Sequence, residues 1–86
     1  MYRIIISRIA EKQLENLPKQ IANAITNKID LLSANPRPDG CKKLQGKDNA
    51  YRIRSSDYRI VYRIEDNKLI VEVIRIGHRS DVYKKR

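Results

Sequence analysis

The sequence predicts an α+β fold in the order β-α-α-β-β-β, with a two-helix layer on one face of an antiparallel sheet. Three observations predict it. Apolar residues recur at helical spacing between positions 9 and 32, and they alternate at period two from Ala50 onward. Between these regimes lies Asn35-Pro36-Arg37-Pro38-Asp39-Gly40, where two prolines and a glycine favour turns over continuation. A length of 86 residues fits one domain, expected to span positions 1–86. At this size roughly 60–65% of the unfolded chain's surface can be buried, which suits one thin, two-layer core.

Tyr2-Arg3-Ile4-Ile5-Ile6 is short and β-branched, and reads as a strand with Tyr2, Ile4 and Ile6 on one face. Ser7 is placed to cap the next element, where Ile9, Ala10, Leu14 and Leu17 recur at helical spacing with the polar Gln13 on the same side. Pro18 interrupts, as it does at the first turn of a new helix. In that second helix Ile21, Ala22, Ile25, Ile29 and Leu32 form one stripe, with Lys19, Asn23, Asn27 and Lys28 largely outside it. The stretch from the proline turn to Asn49 reads as a polar loop carrying Lys42, Lys43 and Lys47. Tyr51 to Arg54 then alternates, Ser55-Ser56-Asp57 turns, and Tyr58 to Ile64 alternates again. Asp66-Asn67 supplies the next turn before a strand from Leu69 to Ile76. The Gly77-His78-Arg79 step leads into a short tail.

Composition narrows the function classes. The 41% hydrophobic fraction argues against disorder, and one cysteine, Cys41, allows no internal disulfide. No apolar run approaches the ~18 residues that cross a bilayer, and no signal-peptide pattern follows the N-terminus. A small cytoplasmic domain is therefore expected, with no membrane partner. Lys and Arg number 19 against 10 Asp and Glu, for a net charge of +9. A charge of that size implies a polyanionic or acidic partner. Its distribution is more informative than its total. Between positions 37 and 63, eight basic residues (Arg37, Lys42, Lys43, Lys47, Arg52, Arg54, Arg59, Arg63) face three acidic ones (Asp39, Asp48, Asp57).

Alternation separates Arg52, Arg54, Arg59 and Arg63 from the apolar face of their strands. With the apolar face turned to the helices, these arginines stand together on the open one. Guanidinium groups on neighbouring strands repel unless an anion lies between them, and they bind phosphate oxygens in a bidentate way. The plainer reading of alternating arginine is solvated surface. His78, Arg79 and Tyr83 cluster after the last strand and add weight to function, because tyrosine stacks on unpaired bases. A lone histidine near a glycine turn is by default a structural hydrogen-bonder, and a tyrosine near a chain end by default packs against a helix. One His, one Cys and no paired carboxylates at helical spacing form no metal-ligand set, and no cofactor motif is present. Ser55 and Ser56 read as turn residues. An enzyme built from Arg, His and Tyr suits RNA cleavage by the 2′-hydroxyl, where the substrate supplies its own nucleophile.

Lys43-Leu44-Gln45-Gly46, Tyr51-Arg52-Ile53-Arg54, Asp57-Tyr58-Arg59-Ile60-Val61-Tyr62 and Gly77-His78-Arg79-Ser80-Asp81-Val82-Tyr83 are each weak motifs. As an ordered set they resemble the RelE family of bacterial and archaeal toxins, within the RelE/ParE superfamily, over almost the whole chain. The resemblance implies a fold similar to small microbial ribonucleases. It further implies a ribosome-dependent endoribonuclease cutting messenger RNA in the ribosomal A site, without a cofactor. Such toxins are held inactive by a cognate antitoxin, and the pair commonly contacts operator DNA through the antitoxin.

The resemblance assigns phosphate contacts to Arg52 and Arg54, and charge stabilisation at the scissile phosphate to Arg59. It assigns the leaving group to Arg79 and base stacking to Tyr83. His78 falls where some relatives place a catalytic histidine. Lys42, Lys43 and Lys47, with exposed helix lysines, become candidates for ribosomal RNA contacts. The chain departs from the best-known members at Arg52 and Arg54, where those carry lysine. A guanidinium with a pKa above ~12 is a poor general base, so His78 becomes the expected proton-transfer group. The chain also stops three residues after Tyr83. Inhibition is thus expected by occlusion of the basic face, or by binding elsewhere that blocks ribosome entry, without a displaced C-terminal helix. Two rival readings share these features: a ParE-type toxin that inhibits DNA gyrase by binding, and a non-enzymatic nucleic-acid-binding domain.

Overall fold

A computed structural model describes residues 1–78. Chain order is β1 (Arg3–Ile6), α1 (Arg8–Glu15), α2 (Lys19–Leu31), β2 (Lys42–Lys43), β3 (Ala50–Ser55), β4 (Tyr58–Glu65), a 3₁₀ turn (Asp66–Lys68) and β5 (Ile70–His78). The five strands form one sheet in the order β1-β5-β4-β3-β2.

Two details differ from the sequence expectation. The meander β2 to β5 is antiparallel, but β1 lies parallel to β5, with Ile4 opposite Val71 and Ile6 opposite Val73. Strands joined by hairpins must reverse direction, whereas β1 reaches β5 through the helices and the rest of the sheet and escapes that constraint. The sheet is therefore mixed. The second detail is β2, two lysines inside the segment expected to be a loop. Its residues show no alternation and are both exposed, so no period-two signal exists to find.

The core lies between the helices and one sheet face. Ala10 of α1 and Ile25 and Ile29 of α2, with Leu32, pack on Ile53, Ile60, Tyr62, Ile64, Val71, Val73 and Ile76. Ser7 starts α1 by accepting from the Ala10 N–H at 3.0 Å, while its own hydroxyl donates to the Ile74 carbonyl at 2.8 Å. That fastens the helix to β5. A register shift opposite Val61 and Tyr62 leaves Ile74 as an extra residue on β5. Beyond the end of β1, Gln13 takes over as the partner of β5, its Oε1 accepting from the Ile76 N–H at 2.6 Å.

The loop after α2 is tied down twice. The buried Tyr62 hydroxyl donates to the Pro36 carbonyl at 2.7 Å. Arg37 reaches the 3₁₀ turn, donating to both Asp66 carboxylate oxygens at 3.2 and 2.8 Å. It also donates to the Tyr51 hydroxyl at 3.1 Å, with its guanidinium 5.2 Å from that ring's centre. These anchors fix the segment that forms one wall of the site.

Candidate nucleic-acid interface

The β3–β4 hairpin builds the site. Its turn is only Ser56-Asp57, with Ser56 in the left-handed region at φ 57°. So tight a turn puts Arg54 directly opposite Arg59, with Arg52 opposite Val61 one step on. Lys42 of β2 lies opposite Arg52 and extends the same row. Alternation sends Ile53, Ile60 and Tyr62 to the helices and these cations to the other face, as the sequence predicts. Side chains directly opposed on antiparallel strands have Cβ atoms ~4.5–5.5 Å apart, so Arg54 and Arg59 repel.

β2 begins at Lys42, opposite Arg52, and beyond Arg52 no strand among the described residues covers the outer edge of β3. A cleft of about 330 Å³ opens there. Lys42, Arg52, Arg54 and Arg59 line it from the sheet, Asp39 and Gly40 from the anchored loop, and Lys28 from α2. Ile53 forms part of its floor. Gly40 sits at φ 92°, a conformation that side-chain-bearing residues rarely adopt, and this bends the loop around the cleft. Among the described residues, Lys28, Lys42, Arg54 and Arg59 join no salt bridge. Arg59 Nη1 is buried and meets no acceptor among the described residues. A buried donor left unsatisfied costs on the order of 1–3 kcal/mol, and more when charged. An anion entering the cleft would supply the acceptor.

The other expected site residues fall elsewhere. Arg63 is on the same sheet face but pairs with Glu72 at 2.9 Å, away from the cleft. Lys43 and Lys47 flank a separate depression formed by residues 43–48. His78 lies opposite Tyr58 in the β4–β5 ladder, its ring edge-on to that tyrosine at 5.6 Å. The pleat thus carries His78 on the helix-side face, while Arg54 and Arg59 are on the other. Arg79 and Tyr83 lie outside the described residues. Two contributions to the cleft escape sequence reasoning, which counts Lys28 only among the exposed helix lysines expected on ribosomal RNA. Lys28 borders the buried stripe of α2 between Ile25 and Ile29, but nothing local links it to β3. The Arg37–Asp66 anchor joins residues 29 positions apart and leaves no sequence signature.

The buried phenol behind the loop stays neutral. Burial foremost, with Cys41 beside it, pushes the Tyr62 pKa well above the usual tyrosine range. Among the described residues, no three His, Cys, Asp or Glu side chains are grouped to hold a metal ion. No described helix is long and apolar enough to cross a membrane.

Comparison with known proteins decides the family. A family model described as the ParE toxin of the type II toxin–antitoxin system parDE matches residues 4–83. The mRNA interferase toxin RelE of Escherichia coli K12 is 36% identical over 78 residues, covering 86% of this chain and 81% of that protein. The chain belongs to the RelE family of type II toxins. Its fold agrees with those of solved RelE chains. The archaeal RelE–RelB complex from Pyrococcus horikoshii OT3 matches with a TM-score of 0.81 at 28% identity, covering 91% of this chain and 94% of that one. The intact Escherichia coli RelBE toxin–antitoxin complex matches with 0.79 at 31% identity, covering 91% and 96%. The RelE-family scaffold is thus conserved here, and the arginine-lined cleft is carried on its meander.

Proposed function

We propose that this RelE-family toxin is a ribosome-dependent endoribonuclease that cuts messenger RNA in the A site and so blocks translation in the cytoplasm. The observation that carries the reading is the convergence of Arg52, Arg54, Arg59 and Lys42 in one cleft, with the buried Arg59 Nη1 donor meeting no acceptor among the described residues. In the proposed step the substrate 2′-oxygen attacks the adjacent phosphorus and the 5′-oxygen departs with a proton. Arg52 and Arg54 hold the phosphate, and Arg59 stabilises the charge that develops on its oxygens. Arg79 serves the leaving group, and Tyr83 stacks on a base. His78, on the opposite sheet face from Arg59, is the candidate for proton transfer. It serves only a strand that turns round the end of β5. Lys43, Lys47 and the exposed helix lysines Lys12 and Lys19 dock the toxin on ribosomal RNA, a salt-sensitive, sequence-independent role.

The partners follow from the same charge. A free protein of +9 binds acidic surfaces indiscriminately. Its resting state in this reading is a complex with a RelB-like antitoxin, as in the solved RelE–RelB assemblies, which contacts operator DNA through the antitoxin.

Purified toxin added to a reconstituted translation system, with transcript ends mapped by primer extension, tests the reading. New ends confined to translated codons support it. Arg59→Gln should lower cleavage by ~100-fold or more, the usual consequence of removing one donor to a developing oxyanion. Near-normal cutting by His78→Ala would remove the histidine from the mechanism. The description of the matching family model favours one second reading, a ParE-type toxin. Intact message together with inhibited DNA gyrase supercoiling would establish that reading instead.

A further inference from the structure

The cleft is not confined to the open face of the sheet. Arg54 and Arg59 reach it from that face, but Ile53 belongs to the helix-side face and Lys28 comes from the helix layer itself. The cavity therefore wraps round the edge of β3 beyond Arg52, which β2 does not reach and no other described strand covers. Its charge is also too large for one phosphate. Even with Arg52 left aside, four cations (Lys28, Lys42, Arg54, Arg59) face one carboxylate, Asp39, among the described residues, and a phosphodiester carries a single negative charge. Its size points the same way. About 330 Å³ corresponds to roughly eleven water volumes at ~30 Å³ each, several times the bulk of one phosphate group.

We infer that Lys28 binds a second, flanking phosphate of the same single-stranded RNA, so that the strand crosses the edge of β3 from the open face to the helix layer. This rests on the RNA reading of the cleft and adds a path and a residue to it. Arg59 and Arg54 grip one phosphate on the open face. The strand passes over the exposed edge beside Ile53 and Gly40, and Lys28 meets the next phosphate beside α2. Lys28 then acts on the substrate strand, unlike the helix lysines that dock on ribosomal RNA. A flexible ammonium serves as a point charge here, whereas the planar guanidinium groups serve the reacting phosphate.

The test uses the full chain and a single-stranded 2′-O-methyl RNA oligonucleotide, which lacks the nucleophile and stays intact. Binding is measured between 50 and 200 mM salt. Lys28 is exposed on its helix, so Lys28→Gln leaves the fold in place. Removing one phosphate contact should reduce the slope of log affinity against log salt by ~0.7 and weaken binding severalfold for every sequence tried. Lys28→Arg should restore the slope. Lys68→Gln removes the same charge from the 3₁₀ turn at the far end of β4, and should leave the slope close to that of the wild type. If Lys28→Gln behaves like Lys68→Gln while Arg59→Gln still weakens binding, the second phosphate is disproved and the RNA reading survives. If Arg59→Gln and Lys28→Gln both bind as the wild type does, the RNA reading fails and this inference fails with it. A Lys28 that touched only ribosomal RNA would leave oligonucleotide binding unchanged, which also overturns the proposal.

Discussion

Asp66 accepts from Arg37 through both carboxylate oxygens and from the Tyr2 hydroxyl at 2.6 Å. The Arg37 hydrogen bonds first, and that of Tyr2 second, hold its carboxyl below the usual carboxylate range. A depressed folded-state pKa stabilises the fold above the unfolded value of ~3.9, and the effect fades as pH falls through the folded value. Wild type should therefore melt higher than Asp66→Asn by a constant margin above about pH 5, and the margin should close as pH falls below about 4. Melting curves that stay parallel down to pH 2 would show that the carboxylate's charge contributes nothing. Tyr62 makes a different kind of tie, since its phenol is fully buried and its acceptor is a main-chain carbonyl. Tyr62→Phe keeps the ring and strands the Pro36 oxygen. The expected loss is ~1–3 kcal/mol in urea unfolding, and a smaller change would mean that water reaches that carbonyl.

At the scale of elements, caps and edges explain what periodicity leaves open. Ser7 was legible as a cap because it precedes an apolar helical pattern, and the structure gives it a second bond to β5. Ser7→Ala should cost ~1 kcal/mol or somewhat more, measurable by chemical denaturation, with a loss below ~0.3 kcal/mol arguing that Ala10 N–H finds another partner. Gln13 was visible as a polar residue on the buried side of α1. Its job emerged only once β1 was seen to stop short and leave the Ile76 N–H for it. The strands of the meander were readable because each is long enough to alternate. β2 was not, because two exposed lysines carry no pattern. The parallel placement of β1 was equally hidden, since Tyr2, Ile4 and Ile6 would face the core in either direction. Arg52, Arg54 and Arg59 were readable as a group because strand alternation and a short turn bring them together locally, although Ser55, expected in the turn, ends β3. Lys28 was not, because its neighbours in the cleft come from packing α2 against β3.

Taken as a whole, the molecule concentrates its disorder of charge in one place. The apolar core lies on the helix side, while the opposite sheet face holds Arg54 and Arg59 in direct opposition around a donor with no acceptor among the described residues. The two ends of that face differ. Arg63 and Glu72 satisfy each other at one end, and the cleft gathers Lys28, Lys42, Arg54 and Arg59, which join no salt bridge among the described residues, at the other. Replacing Arg59 by methionine, similar in length and uncharged, should raise the unfolding midpoint while abolishing cleavage. A variant that is both less stable and inactive would assign Arg59 a structural role instead. The tight hairpin therefore does more than display two arginines. In the proposed reading, a polyanion that binds the cleft of the folded protein also acts as a folding ligand, adding ~2.7 kcal/mol at a concentration 100 times its dissociation constant. By the same linkage, the toxin should resist unfolding and proteolysis more when engaged than when alone.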